Sequence, residues 1–138
     1  MRTKGLFLLA LLFALTGPAF PASLPQAPLT VSGATTVDID AAYRLFRDGA
    51  LFIDVRKPKA YDMGRIPGAI SLPLASSFTA ENLATHAAPN DAIVIYCGGP
   101  RCPLSARASG KAVSWGYRRV HYLRAGLPGW KKAGCPVE

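Results

Sequence analysis

The sequence predicts an α/β domain with a mostly parallel central sheet and helices on both faces, on three observations. Leu51-Phe52-Ile53-Asp54-Val55, Ile93-Val94-Ile95-Tyr96 and Val120-His121-Tyr122-Leu123 are short runs rich in β-branched and aromatic residues, nearly continuous in apolar character as in strands buried on both sides. Segments of helical composition lie between them, and strands alternating with helices make parallel sheets covered on both faces. Residues 36–138 suffice for one hydrophobic core and are too few for two.

The elements follow in order. Asp38 or Asp40 caps a helix over Ala41–Arg47, which Gly49 terminates, because a glycine takes the left-handed conformation that closes a helix. After the strand at Leu51, Lys59–Met63 reads as a short helix, Ala69–Leu72 as a short strand and Thr79–Thr85 as a helical turn or two. The strand at Ile93 leads through a glycine-containing loop to a helix over Leu104–Trp115, with Pro103 suited to its first turn, where a missing N–H costs nothing. Val120–Leu123 is the last strand, and Leu127–Ala133 closes the domain as a helix.

The amino-terminal segment has a different character. Met1-Arg2-Thr3-Lys4 is a basic head, Gly5–Leu15 an apolar run, and Gly17, Pro18, Ala19 and Ala22 are small residues or helix breakers. That pattern is a secretory signal over residues 1–22 with cleavage after Ala19 or Ala22. The run falls short of the roughly 20 apolar residues a membrane span needs, so no stable membrane anchor is expected. Residues 23–35, rich in Pro and Ala without periodicity, read as a flexible arm. The expected location is periplasmic or secreted.

The chemistry centres on Cys97, which ends an apolar strand and begins the six-residue loop Cys97-Gly98-Gly99-Pro100-Arg101-Cys102. Two glycines free the loop to take positive φ, and a helix follows. A thiol at the carboxyl end of a parallel strand, facing backbone N–H groups and the positive end of a helix, is expected to have a lowered pKa and to hold an anion. The plainer alternative is a buried cysteine that only fills space. A phosphatase would need an arginine six positions after the nucleophile, and Pro103 stands there.

Two further segments complete a resemblance. Ile53-Asp54-Val55-Arg56 followed by Ile66-Pro67-Gly68-Ala69, the cysteine loop, and Gly126-Leu127-Pro128-Gly129-Trp130 running to Gly134-Cys135-Pro136, in that order, resemble the signatures of the rhodanese-like domain family over residues 36–138. The resemblance implies a rhodanese-like fold and a sulfurtransferase. Cys97 would take a sulfane sulfur from a small anionic donor such as thiosulfate, carry it as a persulfide and pass it to a thiol or protein acceptor, without a cofactor. Active members commonly place an arginine and then a serine after the loop, whereas this chain has Cys102 and Pro103 there and its arginine one place earlier, at Arg101. Ala125 also stands where the terminal signature usually has a first glycine. A smaller exported subgroup of the family carries a second cysteine at the loop end, usually followed by tryptophan; this chain matches the cysteine but has Pro103 in place of the tryptophan.

Other polar residues divide by context. Arg101 lies inside the loop, where a guanidinium can grip an anionic donor. Asp54 and Arg56 read as a supporting structural pair at a strand end, with a general-base role for Asp54 as the sharper alternative. Arg118, Arg119 and Arg124 are a solvated surface or part of an anion-attracting cluster. His86 and His121 have no triad or metal spacing, Trp115 and Trp130 read as packing, and no metal site is expected, since Cys97 and Cys102 lack a second pair of ligands. The net charge of +8, or +6 without Arg2 and Lys4, attracts anions but no nucleic-acid motif accompanies it, so nucleic acid is not an expected partner.

Three cysteines in an exported chain leave at least one unpaired. Cys97 and Cys102 are close enough in sequence to pair, yet a loop shaped as an N–H cradle holds its ends at a fixed separation, and sequence leaves that choice open. Cys135 reads as a packing residue. Besides the sulfurtransferase, two readings stand. One is a thiol-disulfide redox protein using Cys97 and Cys102. The other is a catalytically silent module that binds a partner such as an exported oxidase or cytochrome-maturation component.

Overall fold

The computed structural model describes residues 17–19 and 21–138. The signal-peptide expectation rests mainly on residues 1–16 and 20, outside the described residues. Five strands form one sheet in the order β1-β5-β4-β2-β3, every adjacent pair parallel. They are β1 (Thr35–Thr36), β2 (Leu51–Asp54), β3 (Ile70–Ser71), β4 (Ile93–Tyr96) and β5 (Val120–Leu123). Helices α1 (Ile39–Arg47), α2 (Pro58–Asp62), α3 (Ala80–Ala84), α4 (Leu104–Ser114) and α5 (Gly126–Lys132) connect or follow them.

β4 lies between β5 and β2, in register Ile93 with Val120 and Leu51, which explains its unbroken apolar run. Because successive side chains alternate, Ile93 and Ile95 feed one layer with Leu83, Ala108 and Ala112 of α3 and α4. Val94 and Tyr96 feed the other, with Ala42 of α1 and Leu127 and Trp130 of α5. Trp130 is fully buried against Tyr43, Phe46 and Phe52, with ring centroids 5.5 to 5.9 Å away, and its indole N–H donates to Pro136 O at 2.7 Å. Trp115 packs on Phe78 in the other layer. Both tryptophans are packing residues, as expected.

The caps follow the local chemistry. The Asp38 carboxylate accepts from Ala41 N–H at 2.8 Å and starts α1, and Gly49 at φ +83° follows its end. Thr79 caps α3 through Asn82 N–H. No helix of the described residues is long and apolar enough to cross a membrane.

One expectation is corrected. Residues 26–36 do not form a free arm: they lie against the domain, and β1, unforeseen in the sequence, pairs with β5 at its edge. Ala27 is buried, its N–H donates to Pro100 O at 2.7 Å, and the Tyr122 hydroxyl donates to Pro28 O at 3.0 Å. Long-range polar contacts, rather than local propensity, hold this segment.

Candidate active site

β4 delivers Cys97 to the carboxyl end of the sheet, where the chain turns through Gly98–Cys102 into α4. Gly99 takes φ +110°, and Cys102 N–H closes a turn onto Gly99 O at 2.9 Å. Of the two loop glycines only Gly99 uses the positive-φ freedom. The Cys97 carbonyl accepts from Leu127 N–H at 3.1 Å, so the start of α5 grips the loop from behind. Gly126, at φ +61°, makes that approach possible: a Cβ there would collide with the Cys97 carbonyl oxygen and the Gly99 nitrogen.

The Cys97 side chain is buried. Ser105 N–H, in the first turn of α4, donates to Cys97 Sγ at 3.3 Å. The thiol can donate to Ser105 Oγ at 3.1 Å or to Cys102 O at 3.4 Å. Ser105 is itself buried and escaped the sequence analysis, because inside a helix of Ser, Ala and Arg nothing local sets it apart. Its signal lay in its position, in the first turn after the loop. The expected downward shift of the thiol pKa is corrected. Burial pushes the Cys97 thiol up to about 11, the Cys102 side chain adds to the rise, and the Ser105 hydroxyl and N–H oppose it. The helix end is present, but loss of water around the sulfur outweighs it.

The remaining residues separate clearly. Asp54, fully buried at the end of β2, holds Arg56 through bonds of 3.0 and 3.1 Å to Nε and 2.6 Å to Nη2. It also accepts Arg56 N–H at 3.0 Å, while Arg56 Nη2 reaches Gly64 O at 2.7 Å. Burial would lower the Arg56 pKa, and Asp54 more than reverses this, so the guanidinium stays charged. With its carboxylate filled, Asp54 ties β2 to the loop before β3. Arg101 is exposed and makes no side-chain hydrogen bond or ion pair among the described residues. It therefore projects from the loop with its donors free. Gly98 and Pro100 are exposed on the same rim, Gly99 is buried, and Cys102 is half-buried in the layer that contains Cys97. All three cysteines are free thiols.

Arg118 is exposed and reaches Asn90, whereas Arg124 turns to residues 26–28. His86 is exposed. The ring nitrogens of His121 have no partner among the described residues, and burial followed by the nearby Arg119 lowers its pKa. A cleft of about 630 Å³ lined by Asp48, His86, Asp91 and Arg119 opens at the starts of β2 and β4, at the other end of the sheet from Cys97. It is a poor candidate for the chemistry, because ligands of parallel sheets sit at the carboxyl ends of strands, where the cysteine loop lies.

A buried thiol at a β4-to-α4 turn, backed by a fixed α5, defines a class of cysteine-loop α/β domains. The Rhodanese-like domain model matches residues 38–133, and the chain belongs to that family. It is 27% identical over 114 residues to thiosulfate sulfurtransferase 16, chloroplastic, of Arabidopsis thaliana, covering 75% of this chain and 92% of the relative. It is 40% identical over 86 residues to the HTH-type transcriptional regulator Rv0324 of Mycobacterium tuberculosis, covering 62% of this chain but spanning only 36% of that protein's length. The crystal structure of the BH2092 protein from Bacillus halodurans superposes with a TM-score of 0.67 at 30% identity, covering 76% of this chain and 77% of that one. Relatives that share the domain thus include a protein named as a sulfurtransferase and a transcriptional regulator.

Proposed function

We propose that this domain moves a sulfane sulfur from a small anionic donor of the thiosulfate type to a thiophilic acceptor, with Cys97 as the carrier. The observation that carries the reading is the contact of Cys97 Sγ with the N–H and hydroxyl of Ser105, at the mouth of a glycine loop whose exposed arginine, Arg101, has no partner among the described residues. The Arabidopsis relative is named for thiosulfate. In the first half-reaction the Cys97 thiolate attacks the outer sulfur of thiosulfate, an S–S bond forms to Cys97, the original S–S bond breaks, and sulfite leaves with its electron pair. In the second an acceptor thiolate or cyanide attacks the outer sulfur of the persulfide and Cys97 departs as thiolate. Ser105 is the positioning donor for the sulfur anion in both halves. Arg101 holds the departing oxyanion. Export to the periplasm or exterior is part of the proposal and rests on the basic head and apolar run of residues 1–15.

Thiocyanate formation from thiosulfate and cyanide tests the reading: the parent turns over, and Cys97→Ser falls to background with unchanged circular dichroism. Retention of most activity in Cys97→Ser would remove Cys97 as the carrier. A second reading, a thiol-disulfide protein, is favoured by the Cys97 thiol lying 3.4 Å from the Cys102 carbonyl with the Cys102 side chain near enough to raise its pKa. Mild oxidation distinguishes it, since closing Cys97 with Cys102 removes two protons and two electrons and lowers the mass accordingly.

A further inference from the structure

One side chain makes most of the side-chain bonds that hold the segment before β1. Arg124, just past the end of β5, donates from Nη2 to Gln26 Oε1 at 3.1 Å and Ala27 O at 3.0 Å, and from Nε to Ala27 O and Pro28 O, both at 3.2 Å. Tyr122 adds its hydroxyl to Pro28 O, and Thr36 Oγ1 donates to Leu29 O at 2.9 Å. Thus pinned, buried Ala27 directs its own N–H at Pro100 O, 2.7 Å away, in the middle of the cysteine loop. A trans peptide is planar, with C=O and the next N–H pointing in opposite directions. Fixing the Pro100 carbonyl toward residues 26–28 therefore aims Arg101 N–H to the opposite side of the loop. On its other flank the loop is held by Leu127 N–H on Cys97 O.

We infer that Arg124 is a positioning residue for the cysteine loop, acting through residues 26–28, whose Ala27 N–H fixes the Pro100–Arg101 peptide. A segment that only covered an apolar edge would need no charged clamp on three consecutive residues and no donor into the loop. The inference rests on the reading of Cys97 as sulfur carrier, and it extends that reading to a residue whose side chain bonds to residues 26–28 rather than to the loop. Its consequence is that the N–H directions around the donor are built partly by residues 26–28, outside the signatures that carry the family resemblance.

The test uses the full chain with Arg124→Ala, Arg124→Lys and, with Arg124 left in place, Ala27→Pro, which removes the N–H on Pro100 O. Amide hydrogen exchange over residues 97–102 and single-turnover sulfur uptake from thiosulfate are measured together. Arg124→Ala should speed loop exchange by about tenfold or more and slow sulfur uptake by about tenfold, the loss expected for a charge-assisted clamp. Arg124→Lys, which keeps the charge but cannot supply Nε and Nη2 together, should fall between the parent and the alanine variant in both, and Ala27→Pro should reproduce the alanine phenotype. Faster exchange confined to residues 26–34, with loop exchange and uptake at parent values, would overturn the inference and leave the segment a cover. If the parent takes no sulfur from thiosulfate, the donor proposal falls while loop exchange still decides the positioning role. If Arg124→Ala does not fold, Ala27→Pro decides alone.

Discussion

Ser105 N–H meets the sulfur of Cys97 at 3.3 Å, and its hydroxyl oxygen lies 3.1 Å from the same atom, so the first turn of α4 faces the sulfur with two groups. The sulfur nevertheless keeps its proton at neutral pH, because burial outweighs these contacts and raises the pKa to about 11 from an ordinary 9.0. The site thus holds the thiol in reserve: the anion exists as a small fraction, and Ser105 increases that fraction.

The pH dependence follows from the upward shift. Attack on a neutral alkylating agent should rise about tenfold per pH unit from 7 to 10 without a plateau, since only the thiolate reacts. The linkage has a definite sign. A thiol whose folded pKa lies above its unfolded value adds stability that is complete below about pH 9 and is lost as pH climbs toward 11. Ser105→Ala should move the Cys97 titration higher still and lower the rate at pH 7 by about tenfold, a hydrogen bond to a charged group. A plateau below pH 8 in the parent would contradict the burial of the sulfur.

Gly126→Ala tests the grip of α5 on the loop. The new Cβ would strike the Cys97 carbonyl and the Gly99 nitrogen, and φ +61° by itself costs a non-glycine residue about 1 to 2 kcal/mol. Chemical denaturation should show a loss of about 3 kcal/mol or more, of the order seen for core overpacking added to backbone strain. Sulfur transfer should fall in the fraction that remains folded. Parent-like values for both would mean that α5 can retreat without disturbing Cys97.

Much of this architecture was legible in the sequence, for a physical reason. Ile93–Tyr96 and Val120–Leu123 are central strands whose burial on both faces shows directly as continuous apolar residues, and both ends match the structure. The cap, which the sequence placed at Asp38 or Asp40 and the structure places at Asp38, and the stop at Gly49 are local backbone chemistry, so a local reading finds them. Residues 26–36 defeated the same approach. Their order comes from Arg124 and Tyr122, 94 to 98 positions away, and proline-rich sequence without periodicity carries no trace of such partners. The thiol shift was misjudged for a related reason: the helix and loop that offer N–H groups are visible in sequence, whereas the desolvation that outweighs them is a product of packing.

Asp54→Asn separates a structural carboxylate from a general base. Removing one partner of this buried pair leaves the Arg56 guanidinium poorly compensated, and a loss of about 3 kcal/mol in unfolding free energy is expected. Per folded molecule, the rate of sulfur uptake should stay within about threefold of the parent, because that carboxylate is already filled by Arg56 and does not touch Cys97. A loss of a hundredfold or more in folded protein would instead give Asp54 a part in the chemistry.

Arg101→Ala probes the donor. Raised thiosulfate KM by about tenfold, with unchanged alkylation by a neutral reagent, is the expected result for an exposed guanidinium that grips an oxyanion. Salt should slow the parent more than the variant, since exposed charges are screened within about 10 Å at 0.1 M. Identical thiosulfate kinetics and salt dependence would show that Arg101 serves only the surface.

The most direct measurement of the central claim is peptide-mapped mass spectrometry after brief exposure of the reduced chain to thiosulfate under anaerobic conditions. The account predicts one added sulfur on the peptide that carries Cys97, removed by cyanide as thiocyanate and absent from Cys97→Ser. An unchanged Cys97 peptide, or sulfur found instead on Cys102 or Cys135, would contradict it.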